Sequence, residues 1–153
     1  MIVLFATDGT SHARHALEEG VRMLPLKQAQ VYVVAVAPLP MALVEAIPAG
    51  IAGPFGASTV GVMAQLDRAA TQHAIDAVHQ LALAGITATA IERTGDPVGE
   101  ILSLAHELQA DLIVLGSHGY GVVERFLLGS VSERVAHRAQ GAVLIVRPAP
   151  AAA

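Results

Sequence analysis

Apolar residues fall along this chain in two rhythms, short unbroken blocks and longer stretches with a helical period, and turn-forming residues separate them. Residues 2–6, IVLFA, are the first block, and an unbroken run rich in branched side chains marks a strand covered on both faces. After the polar turn Thr7-Asp8-Gly9-Thr10-Ser11, apolar side chains return at Ala13, Leu17, Val21 and Leu24, a helical spacing that Pro25 stops. Residues 31–36, VYVVAV, repeat the buried-strand pattern, so the first three elements form a βαβ unit with a right-handed crossover. Residues 38–59 are rich in Ala, Pro and Gly without a clear period, and are expected to form a long apolar loop that packs on a partner, lacks order or serves function. A helix over about 60–84 then puts Leu66, Ala70, Ala74, Val78 and Leu81 on one face, with Gly85 placed to end it.

Residues 87–92 alternate like a strand with one exposed face, near a sheet edge. Asp96 before Pro97 is a helix-start signature, and Ile101, Leu104, Ala105 and Leu108 supply the stripe of the helix that follows. Residues 111–116, DLIVLG, predict another buried strand, 130–139 a helix and 142–146, AVLIV, a last strand. Residues 149–153 are an alanine-rich tail expected to be disordered. Strict alternation predicts a single α/β domain over residues 1–148: an open, doubly wound, Rossmann-like parallel sheet of five strands in the order 3-2-1-4-5 with four helices. Ligands of such sheets sit beyond the C-terminal ends of the strands where the winding reverses, which singles out residues 7–11 and 116–130.

Composition narrows the possible functions. With 54% hydrophobic and 14% charged residues, the chain has the material for a packed core. No apolar block approaches the roughly 20 residues that cross a bilayer, and the first one meets Asp8 too early for a signal peptide, so no membrane partner and a cytoplasmic location are expected. There is no cysteine, which excludes disulfides, thiolate metal sites and cysteine nucleophiles. A net charge of −4, with nine Lys and Arg and 3% aromatic residues, provides neither a basic footprint nor a stacking surface, so nucleic acid is not an expected partner. A phosphate ligand is still compatible, because backbone N–H groups at a helix start hold anions without any lysine.

The stretch Gly116-Ser117-His118-Gly119-Tyr120-Gly121, closing on Gly129-Ser130-Val131-Ser132-Glu133, is where such an anion would be held. Glycines let backbone approach a ligand closely, and the helix start adds a favourable field. A second reading is structural: a turn after a strand, followed by a Ser130-x-x-Glu133 capping box. The sequence Gly-Lys-Ser/Thr of a Walker A loop is absent. Asp8 has two readings as well, as a ligand contact or as ordinary Asp-Gly turn chemistry. His12 and His15 have the i, i+3 spacing of a metal pair, but no further ligand completes a set, so no metal site is expected. His73, His79, His106 and His137 are scattered on helices and expected at surfaces or over helix carbonyls.

The pattern Gly-x2-Gly-x9-Gly-Ser at Gly116, Gly119, Gly129 and Ser130 resembles that of the ATP-binding universal stress proteins. The opening ATDGTSHARHAL, the Gly95-Asp96-Pro97 turn, the ADLIVLGSHG strand and loop, and the closing GSVSERV and AVLIVRP agree in order, so the resemblance spans essentially the whole chain and is weakest over 38–58. It implies ATP as the ligand, with Mg2+ or Mn2+ bound through the phosphates. Carried over, Ala6, Thr7 and Asp8 would line the site with Asp8 facing ribose and adenine, and the Val36 backbone would meet adenine. Leu115, Gly116, His118 and Gly119 would flank the nucleotide, and Gly129, Ser130, Val131 and Ser132 would give hydroxyl and backbone donors to the phosphates. The sequence departs from the usual pattern at Ala6, where many members carry proline, and at His118, where Arg or Lys is frequent. Histidine is only partly charged near neutral pH, which implies weaker and pH-dependent phosphate attraction.

These residues point to an ATP-binding regulatory module of the stress response, acting on a protein partner. The alternatives are a slow ATPase or phosphotransferase, for which no P-loop lysine or arginine finger stands out, and a nucleotide-free dimeric interaction domain. Family members dimerise through the last strand, and AVLIV at 142–146 would otherwise leave an apolar sheet edge, so a homodimer is expected.

Overall fold

The four unbroken apolar blocks and the alternating stretch at 87–92 each form a strand in the computed structural model, which describes residues 1–39, 56–117 and 128–147. The elements are β1 (Ile2–Thr7), α1 (Ser11–Met23), β2 (Gln30–Pro38), α2 (Gly56–Leu83), β3 (Ala88–Gly95), α3 (Pro97–Glu107), β4 (Leu112–Gly116), α4 (Ser130–Arg138) and β5 (Ala142–Val146), with a 3-10 turn at Leu26–Gln28. All strand pairs are parallel, in the order β3-β2-β1-β4-β5. β1 is central, and its Val3 lies level with Val31 of β2 and Leu112 of β4.

The two sheet faces bury two cores. Val3, Phe5, Val31, Val33 and Val114 point to one face, against Leu17 of α1 and Leu81 of α2. Leu4, Val34, Ile113 and Leu115 point to the other, against Val98, Ile101 and Leu104 of α3 and Val135 of α4. Period-two alternation therefore puts apolar side chains on both faces of the inner strands, and this is why those strands read as unbroken blocks rather than alternating ones. The crossovers through α1 and α2 run over one face and those through α3 and α4 over the other, so the winding reverses between β1 and β4.

Local signals set the helix ends. Thr10 caps α1, its Oγ1 accepting from the Ala13 N–H at 3.3 Å, and Asp96 caps α3 by accepting from the Gly99 N–H at 2.9 Å, with Pro97 in the first turn. α2 closes at Gly85, which takes φ +76 while the N–H groups of Gly85 and Ile86 bond the carbonyls of Ala82 and Leu81. That is the two-bond helix stop in which the following apolar residue, here Ile86, packs back on Leu81.

Element lengths differ from expectation in three places. β2 runs to Pro38 and α2 starts at Gly56, so the irregular segment expected over 38–59 is shorter at both ends, and its 40–55 portion lies outside the described residues. The stretch GASTV at 56–60 contains weak helix formers together with the cap-type residues Ser58 and Thr59, which makes the helix read as starting near Val60. β3 extends through Gly95 because its last residues pair with the extended end of β2, Gly95 lying opposite Pro38. The tail expected to be disordered at 149–153 also lies outside the described residues.

Removing the cap with Asp96→Ala is expected to lower stability by about 1 kcal/mol, and emptying the fully buried Leu81 site with Leu81→Ala by about 2–5 kcal/mol, both read by urea denaturation. Equal losses for the two would contradict this division between exposed cap and core.

Candidate functional site

Where the winding reverses, no crossover covers the C-terminal ends of β1 and β4, and a cleft of about 470 Å3 opens there. Ala6, Thr7, Asp8, Val36, Leu115, Gly116, Gly129, Ser130, Val131 and Ser132 all line it, residues from four separate stretches of chain brought together by the topology. The two remaining positions named from the sequence, His118 and Gly119, lie outside the described residues. Pro38, Leu66, Ala70, Ile101 and Leu115 give the cleft apolar walls.

On the β1 side, the chain folds into an Asp-initiated turn. One oxygen of Asp8, Oδ1, accepts from the Thr10 N–H at 3.0 Å and from the Thr10 hydroxyl at 2.6 Å, while Thr7 Oγ1 accepts from the Gly9 N–H at 3.2 Å. The two readings of Asp8 are thus compatible in one residue: Oδ1 shapes the turn, and the side chain still lines the cleft.

On the β4 side, the N-terminus of α4 faces the cleft, and its chemistry differs from the capping-box reading. The N-cap is Gly129, with no side-chain cap hydrogen bond, and Ser130 is already the first helical residue. The first N–H groups of a helix have no partner within it, so the start of α4, which no side chain caps among the described residues, presents backbone donors beside the cleft. The hydroxyls of the two serines part company. Ser130 is exposed, whereas Ser132 is 2% exposed and its hydroxyl lies 2.9 Å from the carbonyls of both Ser117 and Gly129. The Ser132 hydroxyl, expected from the resemblance as a phosphate donor, is instead engaged within the protein. It closes a junction in which the Gly129 N–H donates to the Ser117 carbonyl at 2.6 Å and the Ser117 N–H donates to the Val146 carbonyl at 2.8 Å.

Gly116 also has a packing reason to be glycine, since a Cβ there would come 2.8 Å from the His12 backbone carbonyl, which cannot yield as a side chain could. His73 was expected at a surface or over a carbonyl, and the structure places it in the cleft wall. Its i+3 and i+7 relation to Ala70 and Leu66 carried the signal, but an isolated histidine on a helix looks the same whether its face meets solvent or a cleft. Among the described residues, no group of three or more His, Asp or Glu side chains is placed to hold a metal, and no helix is long and apolar enough to cross a membrane.

The family model that matches this sequence, described as the universal stress protein family, spans residues 1–147. The chain belongs to the universal stress protein family. A universal stress protein of Methanothermobacter thermautotrophicus is 47% identical over 58 residues, 38% of this chain, and a putative universal stress protein of Staphylococcus aureus strain USA300 is 54% identical over 44 residues, 29% of this chain. These matches span 39% and 26% of the relatives' own lengths, less than two thirds of either. Among solved structures, the hypothetical protein MJ0577 superposes with a TM-score of 0.79 at 25% identity, covering 98% of this chain and 97% of that one. A universal stress protein in complex with cAMP gives 0.59 at 23% identity over 96% of each chain, and an Arabidopsis thaliana family member with AMP bound gives 0.65 at 16% over 97% and 92%. At those identities the last two show the shared fold, and the nucleotides are theirs.

Ser132→Ala is expected to cost about 1–2 kcal/mol of stability, because a buried donor serving two carbonyls is lost, whereas Ser130→Ala leaves stability within about 0.5 kcal/mol; denaturant titration of both variants checks the contrast.

Proposed function

We propose that this cleft binds an adenine nucleotide, ATP carrying Mg2+ or Mn2+ on its phosphates, and that occupancy makes the chain a nucleotide-dependent regulatory module of the cytoplasmic stress response. The observation that carries this reading is the convergence of the residues at 6–8, 36, 115–116 and 129–132 on one cleft at the reversal of the sheet. The cleft volume falls in the range of small-ligand sites, about 300–1,000 Å3, and its character is divided as a nucleotide requires. The apolar walls suit a flat base, and Asp8 suits sugar hydroxyls as an acceptor. The α4 start suits phosphate oxygens through backbone donors and the helix dipole. The relatives solved with AMP and cAMP add support from the same fold. A metal ion held by the phosphates needs no protein carboxylate cluster.

Association belongs to the same proposal. β5 is an edge strand with an apolar sequence, and pairing with a second copy would satisfy its open backbone groups. Leu144 is partly buried against the inner core as well, so a charge there burdens the monomer along with the dimer.

Calorimetry with ATP and magnesium tests the ligand. Binding is expected in the wild type, with Asp8→Ala about tenfold or more weaker, the loss of a charge-assisted hydrogen bond. Absence of binding, with no nucleotide released on denaturing the purified protein, would leave the nucleotide-free interaction domain; phosphate release in the same samples would favour a slow ATPase. For the assembly, light scattering is expected to report a dimer for the wild type and monomers for Leu144→Asp, with circular dichroism showing that the variant remains folded.

A further inference from the structure

His73 is the one ionisable side chain besides Asp8 among the described residues that line the cleft. It projects from α2, where Leu66, Ala69 and Ala70, the other residues of that helix in the cleft, are apolar. Its ring is seated on Gly9: a Cβ built there would lie 2.4 Å from Cδ2 and 2.5 Å from Nε2 of the imidazole. Gly9 holds φ +76, so both its conformation and its bare Cα are needed for the ring to occupy this place. Gly9 directly follows Asp8, and Asp8 and His73 both line the cleft near the C-terminal end of β1. α2 packs on the face of the sheet opposite to α4, so this polar pair stands across the sheet from the backbone donors at the α4 start.

Among the described residues, neither ring nitrogen of His73 has a hydrogen-bond partner in the protein. Neutral imidazole carries one donor and one acceptor, and covering them with a ligand costs free energy unless the ligand supplies partners. An ionised carboxylate only accepts. A pair of neighbouring hydroxyls meets both demands, one donating to Asp8 while the other pairs with the imidazole. Phosphate groups do not, because the Asp8 carboxylate lining the same cleft repels them.

Building on the nucleotide reading, we propose that His73 is a specificity residue which, with Asp8, recognises the vicinal 2′ and 3′ hydroxyls of ribose, so that the cleft selects ribonucleotides over their deoxy forms.

Calorimetry with ATP, 2′-deoxyATP and 3′-deoxyATP on wild type, His73→Phe and His73→Gln decides it, with thermal melting as the folding control. Phenylalanine keeps a ring against Gly9 and removes both nitrogens; glutamine restores a donor and an acceptor. The wild type is expected to prefer ATP to at least one deoxy form by about three- to tenfold, the worth of one hydrogen bond. His73→Phe is expected to lose that preference and His73→Gln to regain part of it. Equal binding of all three nucleotides by the wild type, or unchanged discrimination in a folded His73→Phe, would overturn the assignment while leaving nucleotide binding intact. A wild type that binds no adenine nucleotide would overturn the nucleotide reading and this inference together. If His73→Phe does not fold, the His73 ring signals of the wild type serve instead in NMR: they are expected to shift more with ATP than with the deoxy form that binds more weakly, and equal shifts would overturn the assignment.

Discussion

The reversal of winding at β1 and β4 is the constraint on which the rest of this molecule depends. A parallel sheet must bury both faces, and each crossover helix covers only the face it runs over. Two successive crossovers over one face and two over the other satisfy that demand, but they leave the C-terminal ends of the two central strands without a crossover helix above them. The cleft is therefore a by-product of covering the sheet, and it opens where the loop after β1 and the start of α4 converge. Helix starts and strand ends are also where backbone polar groups run out of partners, so topology delivers unsatisfied donors to the same place as the space for a ligand.

The junction of Ser117, Gly129 and Ser132 holds one wall of that space. Ser117 is fully buried at the end of β4, and its carbonyl accepts from both the Gly129 N–H and the Ser132 hydroxyl, while its own N–H bonds the last residue of β5. Buried carbonyls without partners are costly, so these bonds fix the α4 start relative to β4 even though residues 118–127 separate them in the chain. The helix end is held in position by a hydroxyl one turn inside it. This arrangement keeps Gly129 free of a side chain that would cap the donors, while Ser132 meets the structural demand from within. The same junction ties the cleft wall to the edge strand through Val146.

Most of the fold was legible in the sequence because it depends on periodicity, and periodicity survives without coordinates. Blocks such as IVLFA and VYVVAV can be buried only if both faces are covered, and with alternating helices that leaves few sheets to choose from. The site was legible where glycine and Asp-Gly spacing marks it, and there the family resemblance identified the stretches that converge. Three features were hidden for physical reasons. The start of α2 lacks any amphipathic contrast, so its first turns have no periodic signature. Ser130-x-x-Glu133 satisfies the capping pattern in sequence, yet a glycine one residue earlier takes the cap because its carbonyl accepts the first helical bond, from the Glu133 N–H. The position of His73 depends on how α2 is rotated about its axis against the β1 turn, a tertiary relation that no local pattern encodes.

The described cleft lining contains no lysine or arginine, and this determines how an anionic ligand would be oriented. Cations attract phosphate from any direction, whereas the start of a helix attracts it only within its first turn. With Asp8 repelling negative charge at the β1 end and backbone donors gathered at the α4 end, a molecule with an anionic tail and a hydroxylated, apolar head has one favourable direction. Because helix-start and carboxylate fields both weaken with distance and salt, that selection operates at contact range, after the apolar part of the ligand has entered. Shape and burial would then admit the ligand, and the opposed polar ends would decide which way it lies.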